Sequence, residues 1–219
     1  MAKLLVMGGN GFIGAEVCRA AAAEGHDVVA VGRSGRPALR EPWADRVRWV
    51  AADVFRPEAW TEHLAGCDAV VHCIGIVRER PERGVTFERF NGDAAVGVAD
   101  AAERAGVGAM LFLSASAKPP LLGEGYITAK RRAETEVLRS SIRGVVLRPG
   151  LVYGARRPAS QVGAVLLRLA ARLPVVGEPA RGSRPLPVER VGRAALRAAL
   201  DPRVRGVLDG DAIEALGGE

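Results

Sequence analysis

The sequence predicts an α/β domain built on a doubly wound parallel sheet, and two patterns predict it. Short, mostly apolar runs bounded by turn residues recur at residues 4–7, 28–31, 47–50, 69–74, 110–113 and 145–147. Strands covered on both faces look like this, because neither face needs polar side chains. Between them lie stretches of helical period at 15–24, 57–64, 87–104 and 127–139. Strand and helix in regular alternation mean βαβ units with right-handed crossovers, so residues 1–155 read as one such sheet.

After Leu147 the alternation breaks at Arg148, Pro149 and Gly150. A helix is expected over 161–173, another over 188–200, and a further strand over 204–208. Residues 156–219 are therefore expected to form a small C-terminal lobe packed on the same domain. Composition narrows the function classes. At 219 residues, 48% hydrophobic and 26% charged, the chain can bury a core and is no disordered or collagen-like segment. Net charge is +6, but the basic residues are spread through the chain without interleaved aromatics, which total 5%. A nucleic-acid surface is not expected, whereas an anionic small molecule is compatible with that charge. Cys18, Cys67 and Cys73 are odd in number and form no closely spaced pair, which fits a reducing compartment and argues against a disulfide framework. No metal site and no membrane span are expected, and the protein reads as cytoplasmic.

Directly after the first strand comes Met7-Gly8-Gly9-Asn10-Gly11-Phe12-Ile13-Gly14, which opens the first helix. Glycines in that context allow an unusual turn, let the backbone approach a pyrophosphate, and let the helix pack on its strand. The helix N-terminus then offers N–H groups and a positive dipole end to phosphate. A Rossmann nucleotide site is the reading, with Gly8, Asn10, Gly11, Phe12, Ile13 and Gly14 as its loop. At the end of the second strand, where a carboxylate would receive the ribose hydroxyls of NAD, the sequence has Arg33 and Ser34, with Arg36 close by. A guanidinium attracts a 2′-phosphate, so NADP(H) is expected over NAD(H).

Further along, Tyr126 and Lys130 stand four apart at the start of a helical stretch, so phenol and ammonium share a face. A phenol of pKa ~10 is a poor base at neutral pH, and a nearby ammonium lowers it. Tyr126 is then a candidate acid/base and Lys130 its partner. His72, on an apolar strand, is expected to be a satisfied core histidine rather than a catalyst.

The glycines at positions 8, 11 and 14, the Tyr126–Lys130 spacing and the segment Leu147-Arg148-Pro149-Gly150-Leu151-Val152-Tyr153-Gly154 together resemble the extended and atypical branches of the short-chain dehydrogenase/reductase superfamily, the epimerase/dehydratase group. The resemblance implies that Lys130 also holds the nicotinamide ribose, and that Pro149 and Gly150 approach the cofactor through their backbone. It further implies that Gly75 lies against the cofactor and that Asp53, followed by Val54, faces the adenine ring. Asp53 can equally cap the helix expected from Pro57.

The superfamily's substrate-polarising hydroxyl aligns on Ala115, so the flanking Ser116, with Ser114 as the alternative, is the expected third member. Asn91 matches a structural position. Arg156, Arg157, Arg181 and Arg184 would suit an anionic substrate or serve as solvated surface. Two functions follow from the resemblance: an NAD(P)-dependent oxidoreductase or epimerase, or a non-catalytic NADP-binding interaction protein like the complex I accessory-subunit branch. A homodimer is expected by analogy alone.

Overall fold

The computed structural model describes residues 1–38, 41–118, 122–155 and 185–218. Along the chain come β1 (Lys3–Met7), α1 (Phe12–Ala23), β2 (Asp27–Gly32), β3 (Val47–Ala51), β4 (Ala69–His72), α2 (Ala94–Arg104) and β5 (Ala109–Leu113). They are followed by α3 (Gly125–Arg139), β6 (Arg143–Leu147), β7 (Val152–Tyr153), β8 (Leu186–Pro187), α4 (Val188–Leu200), β9 (Gly206–Leu208) and α5 (Gly210–Gly217). Seven strands pair in parallel in the order β3-β2-β1-β4-β5-β6-β9, and the strand order reverses between β1 and β4.

Alternate residues of each strand serve two cores. Leu4, Val6, Ala30, Val71, Leu111 and Val145 pack under α1 and α4, whereas Leu5, Met7, Val29, Val70, Met110 and Val146 pack under α2 and α3. Both covering layers are alanine-rich, which lets backbones come close. A Cβ at Gly192 of α4 would lie 2.8 Å from the Cβ of Glu16 on α1. Residues 185–218 thus build on the same core as the preceding chain, with β9 extending the main sheet beside β6. Arg143 locks that edge by donating to Ala198 O at 2.9 Å and Val204 O at 2.7 Å, which satisfies a carbonyl at the end of α4. The expected helix over 161–173 lies outside the described residues, and no described helix is long and apolar enough to cross a membrane.

Several local expectations are corrected. The single helix expected over 57–64 is two short 3₁₀ turns, Pro57–Ala59 and Thr61–Leu64. Between them the Trp60 side chain is buried, with its indole N–H donating to Val54 O at 3.2 Å, and anchoring that ring breaks the helical run. Neither turn has a side-chain cap, so Asp53 does not cap one; its carboxylate accepts from Phe55 N at 3.1 Å in a local turn. Strand β4 stops at His72, two residues short of expectation, which frees residues 73–76 to line the site. The helix expected from Phe87 begins as a π-helical turn, Glu88–Asp93.

His72 is buried as expected but is not satisfied: neither ring nitrogen has a hydrogen-bond partner. Burial first, and the Lys130 charge second, lower its pKa to about 3. The ring therefore stays neutral in the fold and takes up a proton on unfolding below its ordinary pKa of about 6.5. Its contribution to stability is present above that pH and is lost as pH falls toward 3, at about 1.4 kcal/mol per pH unit. His72→Leu is expected to be at least as stable as wild type at pH 7 and to lose less stability on acidification, measured by urea unfolding between pH 7 and 4. Identical acid slopes for the two proteins would contradict a neutral buried His72.

Candidate functional site

At the carboxyl ends of β1 to β4, where the strand order reverses, a crevice of about 210 Å³ opens. Open parallel sheets bind ligands at this switch point because the loops there diverge. Its floor includes Met7, Gly8, Val31 and Gly32, and its sides include Asn10, Gly11, Arg33, Asp53 and Val54. Cys73, Ile74, Gly75, Ile76 and Phe90 close the far side.

The glycine loop is shaped by close contact. Gly8 has a φ of +78°, and its N–H donates to Val31 O at 2.8 Å. A Cβ on Gly14 would lie 2.2 Å from Gly8 O, so a side chain there would push α1 away from the loop. Gly11 precedes α1 without a side-chain cap, and the first turn holds no acidic residue. The helix end therefore presents backbone donors and a positive dipole beside the crevice, with no carboxylate to compete. Phe12 and Ile13 belong to that first turn but do not line the crevice; the Phe12 ring lies against Gly154. Such a cradle fits the pyrophosphate of a dinucleotide.

Asn10 spans to the end of β2 by donating to Ser34 Oγ at 2.8 Å and Gly35 O at 3.2 Å. Arg33 is exposed beside them, while its neighbour Arg36 is held by Asp45 at 2.5 Å. Arg33 has no such ion pair among the described residues and can meet an anion at this end. The other end leads toward α3: a Cβ on Gly75 would meet Asn91 Oδ1 at 3.1 Å and Lys130 Nζ at 3.7 Å. Asn91 is fully buried and grips the Ile76 backbone from both sides, accepting from its N–H at 2.7 Å and donating to its carbonyl at 3.0 Å. Asn91 thus fixes the 73–76 loop.

The start of α3 carries Tyr126 and Lys130, both buried. Tyr126 packs edge-on against Phe87 with ring centroids 5.5 Å apart, in an apolar cluster with Ala115 and Ala129. Lys130 reaches to the end of β5, where its ammonium donates to Leu113 O at 3.0 Å and lies 5.1 Å from the Phe112 ring centre. Burial lowers Lys130 to about 8, with Arg131 adding to the effect and Glu134 and Cys73 opposing it. The phenol of Tyr126 is pushed up by burial, and the positive charge that opposes this is Arg131. Lys130 instead lies 5.8 Å from the Tyr126 ring centre, because Leu113 draws its ammonium toward the strand.

The three residues at the end of β5 are placed differently. Ala115 touches the Tyr126 cluster. Ser114 is buried and its hydroxyl donates to Glu134, which commits it to the protein. Ser116 is half-buried, with its N–H on Pro149 O at 2.9 Å, and its hydroxyl has no hydrogen bond among the described residues. That bond also ties Pro149, followed by Gly150, to the end of β5. Glu134 and Arg131 were not singled out from the sequence, and Arg148 entered only within the segment from Leu147 to Gly154, without a site role; the one available signal for Glu134 was that it stands four residues beyond Lys130 on the same helix face. Arg156, Arg157, Arg181 and Arg184 lie outside the described residues.

The NAD dependent epimerase/dehydratase family model matches residues 4–179. The chain is 39% identical over 181 residues to the uncharacterized chloroplastic protein At1g32220 of Arabidopsis thaliana, spanning 81% of this chain and 57% of that protein. It is 31% identical over 180 residues to ceramide reductase of Caulobacter vibrioides, spanning 82% of this chain and 54% of that enzyme. The chain thus covers little more than half the length of these two relatives. It is 30% identical over 207 residues to MIOREX complex component 2 of Saccharomyces cerevisiae, spanning 72% of this chain and 75% of that protein.

Among solved structures, UDP-glucuronic acid 4-epimerase from Bacillus cereus in complex with NAD superposes with a TM-score of 0.68 at 19% identity, covering 94% of this chain and 76% of that one. Vestitone reductase from alfalfa does so with a TM-score of 0.69 at 18% identity, covering 94% and 76%. At such identities the likeness is one of fold. With its glycine-rich cradle at the sheet's switch point and a family match that runs across most of its length, the chain belongs to the NAD-dependent epimerase/dehydratase family.

Proposed function

We propose that the protein is an NADP(H)-dependent oxidoreductase or epimerase acting on a small carbonyl or hydroxyl substrate, with Tyr126 as acid/base. The observation that carries this reading is the pairing of Tyr126 with a buried, hydrogen-bonded ammonium at Lys130, one helical turn away and across Gly75 from the crevice. A buried lysine costs free energy, and the arrangement suits a charge held ready for a proton transfer. That relatives include proteins named ceramide reductase and 2-alkyl-3-oxoalkanoate reductase supports a reductase over other chemistries.

In this reading the glycine loop from Gly8 to Gly14 holds the pyrophosphate, Asp53 and Val54 border the adenine, and Arg33 with Ser34 receives the 2′-phosphate. Gly75, Pro149 and Gly150 approach the nicotinamide half through their backbone. The bound nicotinamide supplies or accepts hydride. Tyr126 Oη gives its proton to the substrate oxygen in reduction and takes it back in oxidation. Arg131 favours the phenolate by its charge, and the Lys130 ammonium, held by Leu113 O 5.8 Å from the phenol ring centre, adds to it. Ser116 is the hydroxyl left to polarise the substrate oxygen, since Ser114 is engaged by Glu134. The unpaired cysteines, Cys18, Cys67 and Cys73, suit a reducing compartment such as the cytoplasm.

Ala115, packed against Tyr126 where the superfamily hydroxyl aligns, favours a second reading: a protein that binds NADP(H) for assembly or interaction without turnover. Relatives named MIOREX complex component 2 and photosystem II assembly factor Ycf39 are compatible with it.

NADPH oxidation against a panel of ketones, aldehydes, quinones and nucleotide sugars separates the two. Tyr126→Phe is expected to keep NADPH affinity within about 3-fold and to lose turnover by about 100-fold or more. Full turnover in this variant would sink the acid/base assignment, and tight NADPH binding with no turnover across the panel in wild type would favour the second reading. Arg33→Glu is expected to weaken NADPH binding by about 10- to 100-fold, the worth of a charge-assisted hydrogen bond, and to leave NADH nearly unchanged. If calorimetric titration finds the ratio of the two affinities unaltered, Arg33 does not read the 2′-phosphate.

A further inference from the structure

Glu134 lies two turns beyond Tyr126 on α3, is 2% exposed, and gathers three partners. Ser114 Oγ and Arg131 Nη1 donate to one carboxylate oxygen. Arg148 donates through Nε to both oxygens at 3.1 Å and through Nη2 to the second at 2.5 Å. Burial opposes ionisation of this carboxyl. The hydrogen bonds from Arg148 and Ser114 and the charges of Arg131 and Arg148 outweigh it, so its pKa falls below the usual carboxylate range.

The partners are the three segments that meet at the site. Ser114 belongs to the end of β5, Arg148 follows β6 and precedes Pro149, and Arg131 follows Lys130 on α3. The second arm of Arg131 donates to Ala115 O and Ser116 O, each at 3.0 Å, while Lys130 donates to Leu113 O. Two consecutive cations of α3 therefore pin the strip 113–116. A buried ion pair contributes little net stability compared with apolar packing, so its geometric consequence is the more informative one.

We propose that Glu134 is a positioning residue: it locks the end of β5 and the Pro149 loop against the helix bearing Tyr126, and it sets a negative charge one turn beyond Lys130 on the same buried face. The role rests on the assignment of Tyr126 and Lys130 proposed above. Lys130 is faced by His72 at the end of β4, by Cys73 just after it, and from α3 by Tyr126, Arg131 and Glu134. His72, lowered to about 3, and Cys73, raised to about 12, are neutral near pH 7, and so is the Tyr126 phenol. The formal charges that govern Lys130 are thus Glu134 and Arg131, of opposite sign.

Opposite signs give a test that simple loss of packing does not imitate. The chain has three lysines, Lys3, Lys118 and Lys130, so ¹³C-lysine labelling yields three side-chain signals, with Lys130 assigned by Lys130→Met. In Glu134→Gln the Lys130 midpoint is expected to fall by about one pH unit, and in Arg131→Gln to rise, as a neighbouring charge on the same helix commonly shifts a buried group. Glu134→Asp, which keeps the charge, is expected to restore most of the wild-type midpoint. The alkaline limb of kcat/KM for NADPH-dependent reduction should move in the same directions.

An unchanged midpoint, or shifts of the same sign, in folded Glu134→Gln and Arg131→Gln would overturn the proposal. Should Glu134→Gln fail to fold, Arg131→Gln and Glu134→Asp decide alone: a rise in the first and near-wild-type titration in the second support it, and any other pattern overturns it. The titration needs no substrate. Opposite shifts in a protein that turns nothing over would count against the catalytic reading and leave the electrostatic role of Glu134 standing.

Discussion

Where α1 begins, the carbonyl of Gly8 comes so near Gly14 that even a methyl group on the latter would sit 2.2 Å from the oxygen. This contact sets how closely the helix follows its strand, and so where its first backbone donors stand. The reversal of strand order between β1 and β4 leaves a crevice beside those donors. A longer approach would still permit the sheet but would withdraw the positive helix end, whose influence fades within a turn. Gly9 is confined in the same way, since a Cβ there would lie 2.6 Å from the Ala30 Cβ.

The second half of the site is organised from α3. Its buried face carries Tyr126, Ala129, Lys130, Ala133, Glu134 and Val137, an apolar stripe interrupted by two charges. Each charge is expensive away from water, and each is tied to the backbone or to partners: Lys130 to Leu113 O, Glu134 to Ser114, Arg131 and Arg148. The result is rigidity rather than much stability. Strand ends that would otherwise diverge are held at the place where the proposed chemistry needs them fixed, and Asn91 does the same for the 73–76 loop.

The sheet was legible because both its faces are covered, so its strands are continuous apolar runs, and the parallel order follows from the helices between them. The glycine cradle was legible because its spacing has a steric cause. Other features depend on contacts far apart in sequence. One anchored indole turns the expected helix over 57–64 into two 3₁₀ turns. The short pair β7–β8 brings Val152 to Leu186, a pairing that no local pattern announces. Glu134 sits in a helix of ordinary amphipathic period and becomes a hub only when Ser114 and Arg148 arrive from other strands. Ser114 and Ser116, indistinguishable by composition, are separated by that same contact. His72 was placed correctly in the core, but its unpaired nitrogens were beyond what an apolar run reveals.

The proposed function requires that the crevice at the switch point take NADP(H) and present it to Tyr126. Amide hydrogen exchange of the full chain with and without saturating NADPH tests it most directly, because it reports both binding and place. Exchange should slow in residues 8–14, in 73–76 and around Gly150, with little change in α5, which packs on α4. Absence of protection in these three segments at saturating NADPH, or protection confined to other parts of the chain, would contradict it.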